Sequence, residues 1–211
     1  CTYQDGAPVP VKVVDPSGQL IFDGDDVSAG QQVFLHNGLM EYGSVFGHGA
    51  YLGPDYTADY LRRSSNIAIA ENGGPPVDAD GMEIEDDPDP GPASDIARQK
   101  TINQFRENQY DEDGGELTFT QTQADAFEKL VPYYSRFFSA DNTENGLRKE
   151  AITDPGAFGR ALDQGEDGLG GFGDGPIAVF ANSALEYLGA VSTRHQAGQL
   201  ARIQPDRRPI S

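Results

Sequence analysis

The chain has 211 residues, which is enough for one domain with a hydrophobic core. Its 34 acidic residues outnumber its 15 basic ones, so the net charge is −19, and nucleic acids and anionic membrane surfaces would repel it. The single cysteine, Cys1, excludes an internal disulfide and a thiolate metal cluster, and no stretch is apolar for the ~18 residues that a membrane span requires.

The acidic residues are mostly aspartate, are spread along the whole chain and are accompanied by few lysines. Such a surface is strongly hydrated, and it remains soluble when high salt screens its self-repulsion. The composition therefore favours a halophilic source over an ordinary acidic surface. It also predicts that the protein loses stability in low salt.

The first predicted elements are an extended lead-in, a strand and a helix. Residues 1–18 contain several prolines, and the alternation at about 19–23 predicts a short strand. Asp26 or Ser28 is a suitable cap for a helix that ends near His36.

The later predicted elements are mainly helical. The pattern predicts a helix over about 57–70, a polar loop over 72–92, a helix over about 94–108, a strand at 117–120 and an amphipathic helix over 123–139. This last helix is expected to pack its apolar stripe against the helix near 26–37, and the two strands at 19–23 and 117–120 are expected to pair. A further helical stripe includes Ile177, Phe180 and Ala184.

Residues that could carry chemistry are few. The three histidines, His36, His48 and His195, lack the short spacing of a zinc site. The acidic run at 78–87 supplies carboxylates for a calcium ion but departs from the EF-hand pattern, so a solvated loop is favoured. Glu41 and Tyr42 could supply an acid and a phenol to a catalytic site, but side chains in a glycine-rich turn more often pack or face solvent, so a structural role is favoured.

Three stretches of the chain resemble one family. They are "NGLMEYGSVFGHGAYLGPD" at 37–55, "QFRENQYDEDGGELTFTQTQADAFEKLVPYYSRFFS" at 104–139 and "TENGLRKEAITDP" at 143–155. Together they resemble the extracytoplasmic domain of quinol-dependent nitric oxide reductases. The resemblance extends from residue 2 to about residue 155, and the first stretch is its most specific part.

The resemblance implies a mainly α, cytochrome-c-like helical domain that lacks haem, with a small two-stranded β element. In cytochrome-c-dependent relatives, a Cys-x-x-Cys-His haem motif precedes a Gly-x-Gly-Ala-Tyr segment. Aligning that segment here places the two cysteines at Leu39 and Tyr42 and the axial histidine at Gly43. Larger side chains such as Met40, Tyr42 and Phe46 are expected to fill the vacated space. The structural loop residues implied are Gly47, Gly49, Ala50, Tyr51 and Pro54.

The same resemblance implies a function for the whole enzyme, which reduces two NO molecules to N2O with quinol electrons. Haem b and non-haem iron are expected in a transmembrane catalytic bundle of the same protein. This chain is expected to hold no cofactor, metal or catalytic residue. It would cap the bundle at the extracytoplasmic face of the cytoplasmic membrane and would bind no nucleic acid.

The expected organisation is a lead-in at 1–18, the haem-less domain at 19–155 and a divergent glycine-rich tail at 156–211. The tail leaves the family pattern and is expected to be partly disordered, as the end of a split gene or a frame-shifted reading. An alternative from another class is a free-standing binding module that is secreted, or anchored through a lipid on Cys1. Membrane segments encoded next to this chain would favour the enzyme.

Overall fold

The computed structural model describes residues 9–36, 39–41, 43–49, 53–84, 91–137 and 175–188. In these ranges the chain forms five α-helices: α1 (Gly24–His36), α2 (Tyr56–Glu71), α3 (Gly91–Arg106), α4 (Gln121–Phe137) and α5 (Gly175–Leu188). The mainly α prediction is therefore confirmed. Among the described residues, no helix combines the length and apolarity that crossing a membrane requires.

The main sheet has four strands where a pair was expected. β1 (Lys12–Val14) lies between β2 (Leu20–Asp23) and β6 (Glu116–Thr118), and β5 (Tyr110–Asp111) forms the far edge. β1 is antiparallel to β2 and parallel to β6, so the two strands expected to pair are separated by β1. β1 was not predicted, because a strand of three residues is too short to show an alternating pattern. Its residue Val13 is nevertheless fully buried. A second sheet pairs β3 (Ser44–Val45) with β4 (His48–Gly49).

The start of α1 lies earlier than the sequence predicted. The Asp23 carboxylate accepts hydrogen bonds from the backbone N–H groups of Asp25 and Asp26, both at 2.9 Å. Asp26 in turn accepts from the backbone N–H of Asp23, also at 2.9 Å. This reciprocal arrangement is a capping box made by two aspartates. Ser28, which was a predicted cap, instead donates back to the carbonyl of Gly24 inside the helix.

The core is aromatic, and α4 contributes its predicted stripe to it. Phe127, Leu130, Tyr134 and Phe137 are buried, as the helical spacing indicated. The expected partner is wrong, because α4 packs on α2 and α5, whereas α1 packs mainly on α5. The sequence pattern could not order these helices, since the choice of neighbour depends on contacts far apart in the chain.

α5 confirms the helical stripe near the end of the chain and lies deep in the core. Every residue from Ile177 to Leu185 is buried. A helix that is buried around its whole circumference lies inside a protein, where other elements cover all its faces. α5 therefore shares the core of the preceding elements. The expected division of the chain at residue 155 stays a prediction.

Candidate functional site

The glycine-rich stretch forms a tight hairpin beside the start of α2. β3 and β4 are joined by the two residues Phe46 and Gly47, whose φ angles are 56° and 69°. Two central residues with positive φ are typical of the type I′ turn, which matches the twist of a hairpin. Gly47 suits this conformation because it has no side chain.

A single carboxylate attaches this hairpin to α2. Asp55 is the N-cap of α2, and its Oδ1 accepts from the backbone N–H of Ala58 at 2.9 Å. Its Oδ2 accepts from the Ser44 hydroxyl at 2.7 Å and from the Gly47 N–H at 2.6 Å. The Ser44 N–H also donates to the carbonyl of Pro54 at 3.0 Å. Strand β3, the turn and the helix start are therefore held together around one side chain.

The environment of Asp55 favours its ionised form. Burial by itself would raise the pKa of this carboxyl. The hydrogen bonds from the Ser44 hydroxyl and from the backbone of Ala58 and Gly47 outweigh burial, so the pKa lies below its ordinary value of 3.8. The carboxylate is thus engaged by donors and is a structural anchor.

A second set of hydrogen bonds joins the turn to α5. The backbone N–H of Phe46 donates to the Thr57 hydroxyl at 3.0 Å. Thr57 and Ser183 share a buried hydroxyl–hydroxyl hydrogen bond of 2.9 Å, and Ser183 donates to the carbonyl of Phe180. The surface turn is thereby connected to the most deeply buried helix.

Gly43, the position aligned with the axial histidine, is packed against the ring of Tyr56. A Cβ atom at Gly43 would lie 2.5 Å from Cε2 of Tyr56 and 2.6 Å from the carbonyl oxygen of Pro54. The Tyr56 ring is fully buried, stacks on Phe180 at 5.1 Å and meets Phe34 edge-on at 5.5 Å. A side chain at position 43 would have to displace this ring from the aromatic core.

The side chains expected to fill the space vacated by haem differ in their burial. Leu39, in a 3-10 turn at Leu39–Glu41, is fully buried, and Met40 is partly buried against the core. Phe46 was expected to fill this space, but it is 38% exposed. The aromatic ring of Tyr56 lies beside Gly43, although the sequence pattern did not mark Tyr56 as a site residue.

These residues do not fit a covalently attached haem. Attachment requires two cysteine thiols, and ligation requires an axial side chain such as histidine. The aligned positions instead carry Leu39, Tyr42 and Gly43. Gly43 also has no room for a side chain unless Tyr56 moves. Both the chemistry and the packing of these positions therefore argue against a covalently attached haem.

The remaining predicted site residues are only partly described. Gly49 lies in β4 and Pro54 precedes the capping residue Asp55, whereas Tyr42, Ala50 and Tyr51 lie outside the described residues. The roles assigned to these residues stay predictions.

The acidic run forms a turn and ion pairs in its described part. The Asp78 carboxylate accepts from the N–H groups of Asp80 and Met82, and Asp80 and Glu83 pair with Arg136 and Arg98. Within the ranges that the structure describes, no group of three histidine, cysteine or acidic residues could hold a metal ion.

A further polar cluster links α2 to α4. The Tyr134 hydroxyl donates to Asp59 at 2.9 Å, and the Nε of Arg63 contacts the same carboxylate at 3.0 Å. The Arg63 guanidinium also lies 3.9 Å from the centre of the Tyr133 ring, which is a cation–π contact. Burial raises the pKa of Tyr134 well above its ordinary value, so this phenol stays protonated. In the sequence, the local signal of this cluster is the i, i+4 spacing of Asp59 and Arg63, which did not lead to its prediction.

One comparison with known proteins identifies a family. Residues 10–166 match the family model of the cytochrome c-like domain of the nitric oxide reductase NorB. The match continues past residue 155, where the resemblance noted in the sequence was expected to end. A search of curated proteins finds no match to the chain.

Proposed function

The chain belongs to the NorB cytochrome c-like domain family of nitric oxide reductases, and on that basis we propose that it is the haem-less domain of a quinol-dependent enzyme. In this proposal the domain lies on the extracytoplasmic face of the cytoplasmic membrane. It caps a catalytic membrane bundle of the same protein and is not itself catalytic.

The packing at Gly43 is the observation that carries the proposal. A domain that passes electrons from a cytochrome to the catalytic site requires a redox group, and haem attachment would require cysteines that the aligned positions lack. The Tyr56 ring also occupies the space beside position 43. These features support electron entry from a membrane quinol. The reaction would consume two NO, two electrons and two protons and yield N2O and water, with quinol oxidised to quinone.

The contacts around the hairpin support a structural role for this chain. The Asp55 carboxylate is engaged by Ser44, Gly47 and Ala58, and the Asp59 carboxylate by Arg63 and Tyr134. Groups held in this way orient backbone and side chains and are poor candidates for proton transfer to a substrate. We therefore assign the reduction of NO to haem b and non-haem iron in the membrane bundle.

The packing part of the proposal is tested by Gly43→Ala. The added Cβ would lie 2.5 Å from the Tyr56 ring and 2.6 Å from the Pro54 carbonyl. Forced overpacking of this kind costs about 1 to 3 kcal/mol, measured by urea unfolding. Gly18→Ala is the control, because a Cβ there meets nothing within 4 Å and only its positive φ is strained. Equal stability of the Gly43 variant and the parent chain would show that the space beside Gly43 is open.

The electron donor is tested on the natural protein that contains this chain, in its own membranes. NO consumption is measured with a reduced soluble quinol and, separately, with reduced cytochrome c. We expect activity with quinol, and no haem absorbance in this chain when it is purified from cells that attach haem covalently. Activity with cytochrome c alone would contradict the quinol assignment. If neither donor supports NO consumption, the enzyme proposal fails and the alternative, a free-standing binding module, becomes the preferred function.

We also propose that the net charge of −19 is an adaptation to high salt. Screening should reduce self-repulsion between carboxylates, so the melting temperature should rise between low and molar potassium chloride. If the melting temperature falls or stays constant as salt is added, the charge is not an adaptation to high salt and the protein simply has an ordinary acidic surface.

A further inference from the structure

The outer face of α3 differs in charge from the rest of this acidic chain. α3 carries three basic residues, Arg98, Lys100 and Arg106, and one acidic residue, Asp95. Its inner face is formed by Ser94, Ala97, Thr101 and Phe105, which are buried. No carboxylate occurs between positions 96 and 106. The outer face of α3 therefore presents little local negative charge to a second acidic chain.

Four residues form a stripe along this outer face. Asp95, Gln99, Ile102 and Arg106 follow the spacing i, i+4, i+7 and i+11, which places them on one side of a helix. All four are exposed, and Ile102 is an exposed large apolar residue at 47%. We refer to these four residues as the α3 stripe.

The charges at the two ends of the α3 stripe are not used within the described part of the chain. There, Asp95 and Arg106 form no ion pair or side-chain hydrogen bond, whereas the neighbouring Arg98 pairs with Glu83 at 3.3 Å. Gln99 donates to Asn103, which lies on the same outer face.

We propose that the α3 stripe is a contact surface for a second copy of this chain, with the two α3 helices antiparallel. Asp95 and Arg106 are eleven residues apart, which corresponds to about 16 Å along the helix. Reversing one helix brings Asp95 level with Arg106 of the second copy at both ends of the contact. Gln99 and Ile102 then lie near the two-fold axis, on either side of it.

The order of charges selects this orientation. In a parallel arrangement, Asp95 would face Asp95 and Arg106 would face Arg106, which is unfavourable at both ends. In the antiparallel arrangement both ends carry opposite charges, and the Ile102 side chains meet near the centre. The same patch on both copies is thus complementary to itself, as a two-fold contact requires.

The contact should be weak in solution. A single helix pair buries less than the ~1,200 to 2,000 Å² of total surface found in stable complexes. Long-range repulsion between two acidic chains opposes it further, and salt reduces that repulsion. We therefore expect a concentration-dependent association, which is best detected by trapping.

Cysteine trapping tests the geometry with the full 211-residue chain carrying Cys1→Ser. Along the helix axis, the two copies of Ile102 should be about 4 to 5 Å apart, and the two copies of Ile96 about 13 Å apart. Ile102→Cys should therefore form a disulfide dimer at least about tenfold faster than Ile96→Cys. The control is stringent, because Ile96 is 70% exposed and Ile102 only 47%, so random collisions would favour position 96. Equal rates, or faster trapping at position 96, would overturn the proposal.

Charge exchange tests the pairing on the Ile102→Cys background. Asp95→Arg and Arg106→Asp, each alone, place like charges opposite each other and should slow trapping several-fold. Mixing the two variants brings opposite charges together at both ends of the contact and should restore the rate. Asp95→Arg is decisive, since it reduces the net negative charge and would accelerate trapping if only overall repulsion mattered.

Arg62→Asp is the matched control for charge, because Arg62 is exposed on α2 and the substitution changes the net charge by the same amount as Arg106→Asp. It should leave the trapping rate nearly unchanged. Circular dichroism confirms that each variant is folded before trapping. If the mixed, folded variants trap no faster than either one alone, the antiparallel contact is excluded.

Discussion

The starts of α1 and α2 are both capped by aspartates, yet the two sites have opposite electrostatics. At α2, Asp55 accepts hydrogen bonds from the helix and from the hairpin, and its pKa is lowered. At α1, burial raises the pKa of Asp26, and the nearby carboxylates of Asp23 and Asp25 add to the effect. The two carboxylates differ because several hydrogen-bond donors outweigh burial at Asp55, whereas burial dominates at Asp26.

Apolar packing also fixes the strand that leads into α1. Phe22, at the end of β2, stacks on Phe127 of α4 at 5.2 Å and meets Phe119 edge-on at 5.9 Å. The strand that leads into α1 is thereby fixed to the core. Three substitutions separate the contributions of apolar packing and of the two carboxylates.

Phe127→Ala removes the packing beneath the α1 start and should have the largest effect. Phe127 is 2% exposed, and deleting a buried phenylalanine side chain costs about 3 to 5 kcal/mol of unfolding free energy. Urea unfolding measures the loss. Phe46→Ala is the control, because this phenylalanine is 38% exposed and its truncation should cost much less. Similar losses for both variants would place Phe127 outside the core.

Asp55→Asn weakens the polar anchor at the α2 start and should cost about 1 to 3 kcal/mol at neutral pH, since hydrogen bonds to a charged group are lost. The folded pKa is lowered, so the stability due to the ionised carboxylate is fully present above the ordinary value of 3.8. It is lost as the pH falls through the folded pKa. Melting curves of the parent and variant should therefore converge below pH 3.8.

The control for this substitution is Asp113→Asn, which changes an exposed residue of the turn between β5 and β6. Its melting temperature should follow that of the parent chain across the whole pH range. A difference between Asp55→Asn and the parent that persists undiminished in acid would show that the charge of Asp55 is not the cause.

Asp26→Asn should have the smallest effect and the opposite sign. The folded pKa is raised, so ionisation of Asp26 costs stability as the pH rises from 3.8 through the folded pKa. Asparagine keeps an oxygen that can accept from the Asp23 N–H and removes the charge. The variant should melt at a slightly higher temperature near neutral pH and match the parent chain in acid. Destabilisation at neutral pH would mean that the helix dipole outweighs burial at this site.

Local patterns in the sequence predicted a large part of the fold. The helical spacing of Phe127, Leu130 and Tyr134 correctly marked the buried face of α4, and Ile177, Phe180 and Ala184 marked α5. These predictions succeeded because each helix repeats its pattern within a few residues. The central position of β1 escaped prediction, because its pairing joins segments about a hundred residues apart and three residues show no period.

The candidate site was likewise predictable only in part. The glycines of the hairpin and the family resemblance were readable from neighbouring residues. The contacts that define the site were not, since Ser44 and Gly47 reach Asp55 from eleven and eight positions away. The link from Thr57 to Ser183 spans 126 positions.

The sequence by itself determined that thioether attachment of haem at the aligned positions is impossible, because the chain has one cysteine and it lies at position 1. It also determined the mainly helical class, through periodicity that each segment carries alone. Only the tertiary structure decided what lies beside Gly43, where the ring of Tyr56 packs against Phe34 and Phe180. Side-chain packing depends on which distant segments meet. The hydrophobic effect that drives packing is non-directional, so an apolar pattern in one segment does not specify which other segment will cover it.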